Sequence, residues 1–144
     1  MSATQISALD DTDLQGLTAT QVAALTTTQV KGLTASQITL LADTQVMALT
    51  ATQLGVFSTT QFAALEDAEI LALSTSQLDG LTTTQLSGLT TTDLQLMTET
   101  QVASLTTTQL SGLSATQVGN LTTPQAQALT AAQIGSLSVT QLKG

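Results

Sequence analysis

Hydrophobic positions recur along this chain with a period of eight. Lettering each octad a to h from Met1, column a is Leu in fifteen of eighteen octads, with Met1, Phe57 and Met97 in the others. Column f is apolar throughout, from Ile6 through Val22, Phe62 and Ala126 to Leu142. Columns b and d are Ser or Thr in fifteen octads each, e is Gln in fifteen, h is Ala or Gly in twelve, and g varies freely. The register runs over 1–144 without insertion or deletion, so the geometry of one octad must repeat along a single repeat domain.

Neither regular element fits this period unbroken. In a continuous α-helix an octad advances about 800°, so the apolar stripe would turn by about 80° per repeat and soon circle the helix. In a flat strand, f and the next a lie three residues apart and face opposite sides. The chain has to bend once per octad.

The place of the bend is set by L-T-x-x-Q-L. A hydroxyl residue followed three positions later by Gln is a capping box, with b as N-cap and e as N3. Columns a and f then fall at N′ and N4, where an apolar pair forms a hydrophobic staple. The pattern assigns capping to Thr18 with Gln21, Thr26 with Gln29, Thr82 with Gln85 and Thr106 with Gln109. It assigns the core to Leu17, Val22, Leu25, Val30, Leu81, Leu86, Leu89, Leu105 and Leu110, with b to e and g displayed.

The exit from each helix falls at h. Gly16, Gly32, Gly80, Gly88 and Gly112 stand there, where a left-handed C-terminal cap would favour glycine. Ala8, Ala24, Ala48 and Ala64 occupy the same column, which points instead to smallness for close backbone approach. Pro124 falls at N2, whose amide is unpaired in any helix, whereas the middle of a paired strand would reject it. The expected fold is therefore all-α, a solenoid or superhelix of eighteen short helix-turn octapeptide repeats. A Thr-rich β-solenoid is the alternative, since short Thr- and Val-rich repeats also favour strands.

One octad cannot fold alone. Burying two large aliphatic side chains contributes about 1.5 to 3 kcal/mol each, against about 12 kcal/mol for ordering eight residues. Stability has to accumulate by stacking. The first and last octads resemble the interior ones rather than polar caps, so 1–144 reads as a segment of a longer array, or as one whose open ends join other molecules. Leu40, Val56, Leu71 and Leu96, apolar at g or h, offer a lateral contact face.

Composition removes most other functional classes. The chain has no Cys, His, Trp, Tyr or Arg, and its only bases are Lys31 and Lys143. A thiolate or imidazole metal site is therefore not expected. Neither is a base to activate the many hydroxyls. A net charge of −8 with almost no aromatics argues against nucleic acid. No apolar run approaches the roughly 18 residues that span a bilayer. No enzyme activity, cofactor or membrane insertion is expected; end-to-end or lateral self-association is the partner these features allow.

A few positions depart from the pattern. Glu66, Asp67 and Glu69 crowd one helix start, where acids favour the dipole. Asp10, Asp11 and Asp13 have calcium-loop spacing without that loop's glycine turn or its bidentate Glu at the twelfth place. Phe57 and Phe62 occupy columns a and f and read as core. Regular Thr-x-Thr, as at 18–20 and 82–84, is like ice-binding faces, but a capping b hydroxyl is already engaged.

The unit LTTTQVKGL resembles the octapeptide LTxxQ[VL]xxL tracts of very large bacterial surface or secreted proteins, over essentially all 144 residues. The resemblance implies a non-catalytic spacer or scaffold at the cell surface or outside a bacterium; otherwise the chain reads as soluble and cytoplasmic. The rival role is a binding module for glycan, protein or ice on the displayed Thr and Gln face.

Overall fold

A computed structural model of the chain describes residues 2–143; Met1 and Gly144, placed above in columns a and h, lie outside the described residues. Among the described residues there are eighteen short α-helices and no strand. They fall into two compact units, Met1–Leu73 and Ser74–Gly144. The β alternative has no support in this fold.

The first unit holds α1 (Ala3–Ser7), α2 (Asp11–Gln15), α3 (Ala19–Ala23), α4 (Thr27–Lys31), α5 (Ala35–Ile38), α6 (Asp43–Met47), α7 (Ala51–Gly55), α8 (Thr59–Phe62) and α9 (Asp67–Ala72). The second holds α10 (Thr75–Asp79), α11 (Thr83–Ser87), α12 (Thr91–Leu96), α13 (Glu99–Ser104), α14 (Thr107–Ser111), α15 (Ala115–Gly119), α16 (Thr123–Ala128), α17 (Ala131–Ser136) and α18 (Val139–Lys143). Every helix starts at column c. Residue b before it is extended, as at Thr18 (φ −71°, ψ 157°), and where b is Ser or Thr its hydroxyl accepts from the N3 amide. Pro124 sits in the first turn of α16, where its missing N–H leaves no helical bond unmade.

The exit is not left-handed. Glycine at h keeps right-handed backbone, with φ −72° at Gly16, −78° at Gly32 and −80° at Gly112, and no described residue has positive φ. Two of these glycines are needed for space. A Cβ on Gly32 would lie 2.5 Å from the Ala3 carbonyl oxygen, and one on Gly112 would lie 2.7 Å from Thr83 Cβ. Both contacts join h of one octad to c of the octad three before, so smallness at h sets how closely helices three octads apart approach.

That spacing is the packing rule within each unit. In the first, α1 packs on α4, α3 on α6, α5 on α8 and α6 on α9; in the second, α10 packs on α13, α13 on α16 and α15 on α18. The core between them is made of columns a and f. Val22, Val30, Leu81, Leu86, Leu89, Leu105 and Leu110 are buried, as are Phe57 and Phe62. Leu17 and Leu25, near the start of the first unit, are only half-buried.

Candidate functional site

The most specific chemistry in the chain is carried by the glutamine column. Around Gln109 it reads as follows. The Gln109 N–H donates to Thr106 Oγ1 (3.2 Å), and Gln109 Oε1 accepts from the Thr106 N–H (2.8 Å), closing the capping box. The remaining group, Nε2, donates to the carbonyls of Leu78 (2.8 Å) and Leu81 (2.9 Å). Those oxygens end α10 and begin the next octad, 31 and 28 residues earlier. One side chain thus starts its own helix and closes the end of a helix just under four octads before it.

The same double use recurs with little variation. In the first unit, Gln37, Gln45, Gln53 and Gln61 donate to the carbonyls of Leu9, Leu17, Leu25 and Leu33 at 2.7–3.1 Å. In the second, Gln117, Gln125, Gln133 and Gln141 reach those of Leu89, Met97, Leu105 and Leu113 at 2.6–2.8 Å. These glutamines are therefore buried rather than displayed; Gln85 and Gln109 are only 2% and 4% exposed. Among the described residues, no buried side-chain nitrogen or oxygen lacks a partner. A helix end whose carbonyls would otherwise go unpaired is closed by an amide.

The other predicted caps lie as follows. Thr18, Thr26 and Thr82 each accept from the N3 amide of Gln21, Gln29 and Gln85, and each returns its own N–H to that glutamine's Oε1. Gln21 is exposed and Gln29 half-buried, unlike Gln85. Three octads carry only part of the motif: in one, Asp10 accepts from the Asp13 N–H without the return bond. Ala42 has no side-chain acceptor, although its N–H donates to Gln45 Oε1 (2.8 Å). Glu66 makes no side-chain cap, while its N–H donates to Glu69 Oε2 (2.8 Å).

Glu69 is an acid in an unusual place. It stands in the glutamine column and is buried. Burial raises its pKa above the ordinary Glu value; the hydrogen bond from the Glu66 N–H opposes this, and the negative charges of Glu66 and Asp43 reinforce it. As a carboxylate it can accept at its own cap but cannot donate to an earlier helix end.

The acidic clusters gather little else. Asp10 caps α2 through the Asp13 N–H (2.8 Å), and among the described residues no three acid side chains are placed to hold a metal ion. In the first unit an open groove of about 490 Å³ runs past Lys31, Leu33, Val56, Thr60 and Gln61. It brings one cation beside apolar and hydroxyl groups, without a carboxylate or a second base. Leu71 and Leu96 are 37% and 39% exposed, whereas Leu40 and Val56 are half-buried. Among the described residues no helix is long and apolar enough to cross a membrane.

No family model matches the chain, and no curated protein or solved structure does either.

Proposed function

We propose that the chain is a non-catalytic structural repeat, a solenoid of short helices with about three and a half octads to a turn, serving as a spacer or scaffold. The observation behind this reading is the glutamine column, in which the buried amides from Gln37 to Gln61 in the first unit and from Gln109 to Gln141 in the second are used between their own helix starts and an earlier helix end. Polar groups spent in this way hold a shape and are not free for a ligand. The b hydroxyls are likewise engaged as caps, which weakens the reading of the Thr and Gln face as a glycan, protein or ice-binding surface. A setting at the surface of a bacterium or outside it rests on the likeness of the LTTTQVKGL unit to octapeptide tracts of large bacterial proteins. Absence of nucleic-acid partners follows from the net charge of −8.

The test is a length series. Chains shortened or lengthened by four octads should keep the same helical dichroism per residue, and their hydrodynamic size should change in step. None should bind saturably to a panel of glycans and proteins. A ligand whose binding is lost with one particular octad would make the chain a binding module instead.

A further inference from the structure

Column e holds one glutamate, and its place in the packing sets it a task that a carboxylate cannot perform. In the octad before it, Gln61 accepts at Oε1 from the Ser58 N–H (2.8 Å) and donates from Nε2 to the carbonyls of Val30 (3.1 Å) and Leu33 (2.7 Å). Glu69 repeats the first half, its Oε2 accepting from the Glu66 N–H at 2.8 Å. By the register of the column its other oxygen falls where Gln61 carries Nε2, facing the carbonyls of Ile38 and Leu41. Helices α6 and α9, on either side of this joint, belong to the first unit and pack on each other. Among the described residues nothing donates to the Leu41 carbonyl, whereas its equivalent at Leu33 is served by Gln61.

The joint is largely closed to water, since Glu69 is only 5% exposed. Two oxygens set against each other there, one of them charged, repel and leave both acceptors unpaired. A proton on Oε1 removes the conflict. It makes the side chain a copy of glutamine in its hydrogen bonding, with Oε2 as acceptor and Oε1–H as donor. Among the described residues no positive charge competes for the place. The charged residues around the joint are Glu66 and Asp67 in its own octad and Asp43 on α6, all of them acids, and residues 39–42 carry no charge.

We propose that Glu69 is a proton-operated latch within the first unit: as a neutral acid it donates from Oε1 to the Leu41 carbonyl and ties α9 to the α5–α6 turn, and as a carboxylate it lets go. This goes beyond the spacer reading and does not rest on it. Burial raises the Glu69 pKa, the Glu66 N–H bond opposes the rise, and the charges of Glu66 and Asp43 reinforce it. The closed joint therefore holds the proton more tightly than an opened, hydrated one. It is shut in acid and loosens as pH climbs from the ordinary Glu value to that of Glu69. The joint at Gln61, one octad earlier, has an amide donor at every pH and does not respond.

Backbone hydrogen exchange of the 144-residue protein from acid to neutral pH tests this, with rates corrected for the intrinsic pH dependence of exchange. The reporters are the N–H groups of Ile70 and Leu73, bonded to the carbonyls of Glu66 and Ile70; the controls are those of Phe62 and Leu65, bonded to Ser58 and Phe62. Protection of the reporters should fall by up to about tenfold per pH unit across that window and then level off, the slope of one released proton, while the controls stay constant. In Glu69→Gln the reporters should be flat. Asp43→Asn and Glu66→Gln each remove a neighbouring charge and should keep the fall over a narrower range. Reporters that ignore pH in the wild type, or that fall equally in Glu69→Gln, would overturn the latch. So would a fall abolished by Asp43→Asn or Glu66→Gln alone, or a window that moves when millimolar calcium replaces a chelator, which would put a cation between the two oxygens.

Discussion

Gln141 places its amide nitrogen 2.7 Å from the carbonyl oxygen of Leu113, while its amide oxygen accepts from the N–H of Ser138 at 2.8 Å. The two bonds use opposite ends of one planar amide. The amide plane therefore fixes the start of α18 relative to the chain 28 residues earlier. A residue with two oxygens could accept from the Ser138 N–H but could not donate to the Leu113 carbonyl.

That difference gives the first prediction. Gln109→Glu keeps the cap but sets a carboxylate against the carbonyls of Leu78 and Leu81. It should cost more than the roughly 1 to 3 kcal/mol of an unsatisfied neutral group. Gln21→Glu, at an exposed position with no long-range bond, should be nearly neutral. Urea unfolding of the two variants, compared with a Thr106→Ala variant losing about 1 kcal/mol of capping, separates the two uses of the side chain.

Glu69 supplies the reverse experiment. Its folded pKa lies above its unfolded one, so between those values the native state holds more protons, and stability falls as pH rises through that window. Below the window the penalty is absent; above it the penalty is complete. Glu69→Gln should remove this dependence and stabilise the protein at neutral pH by about 1 to 2 kcal/mol. Thermal unfolding of both proteins across the acid range reads the sign directly.

The Ala42 cap is missing its hydroxyl. Ala42→Thr should add an acceptor for the Gln45 N–H, as Thr50 provides for Gln53 at 3.2 Å. The expected gain is about 0.5 to 2 kcal/mol, seen as a higher urea midpoint with unchanged slope.

Glycine at two places should answer oppositely. Gly32→Ala drives a Cβ into the Ala3 backbone and should destabilise by about 1 to 3 kcal/mol. Gly135→Ala meets nothing within 4 Å inside a helix and should stabilise by about 0.5 to 1 kcal/mol. Denaturant midpoints for the pair check whether close packing belongs to Gly32 in column h, where another helix arrives, and is absent at Gly135 in column g.

The features legible in the sequence were those whose partners lie within one octad. Thr18 and Gln21 are three residues apart, so their cap could be read from spacing alone, and Leu17 with Val22 followed as the staple. The second bond of each glutamine was not legible, because its acceptor lies 28 residues away and periodicity does not say how many octads make a layer. A signal for it existed nonetheless. A capping box is served equally by Glu, yet column e holds Gln in fifteen octads and Glu only at Glu69. Glycine at h was open to two readings, and Ala at the same column already favoured close approach over a left-handed exit. The thinner cover on Leu17 and Leu25 depends on which octads stack beneath them, which no single octad encodes.

The central claim is that, within each unit, buried glutamine amides tie their octads to the chain 28 to 31 residues before them, and side-chain amide hydrogen exchange by NMR tests it most directly. The Nε2 protons of Gln37, Gln45, Gln53, Gln61, Gln109, Gln117 and Gln125 should be strongly protected, with those of Gln5 and Gln21 exchanging as in an unfolded peptide. Uniformly fast exchange along the column, in a protein that keeps its helical dichroism, would contradict the account.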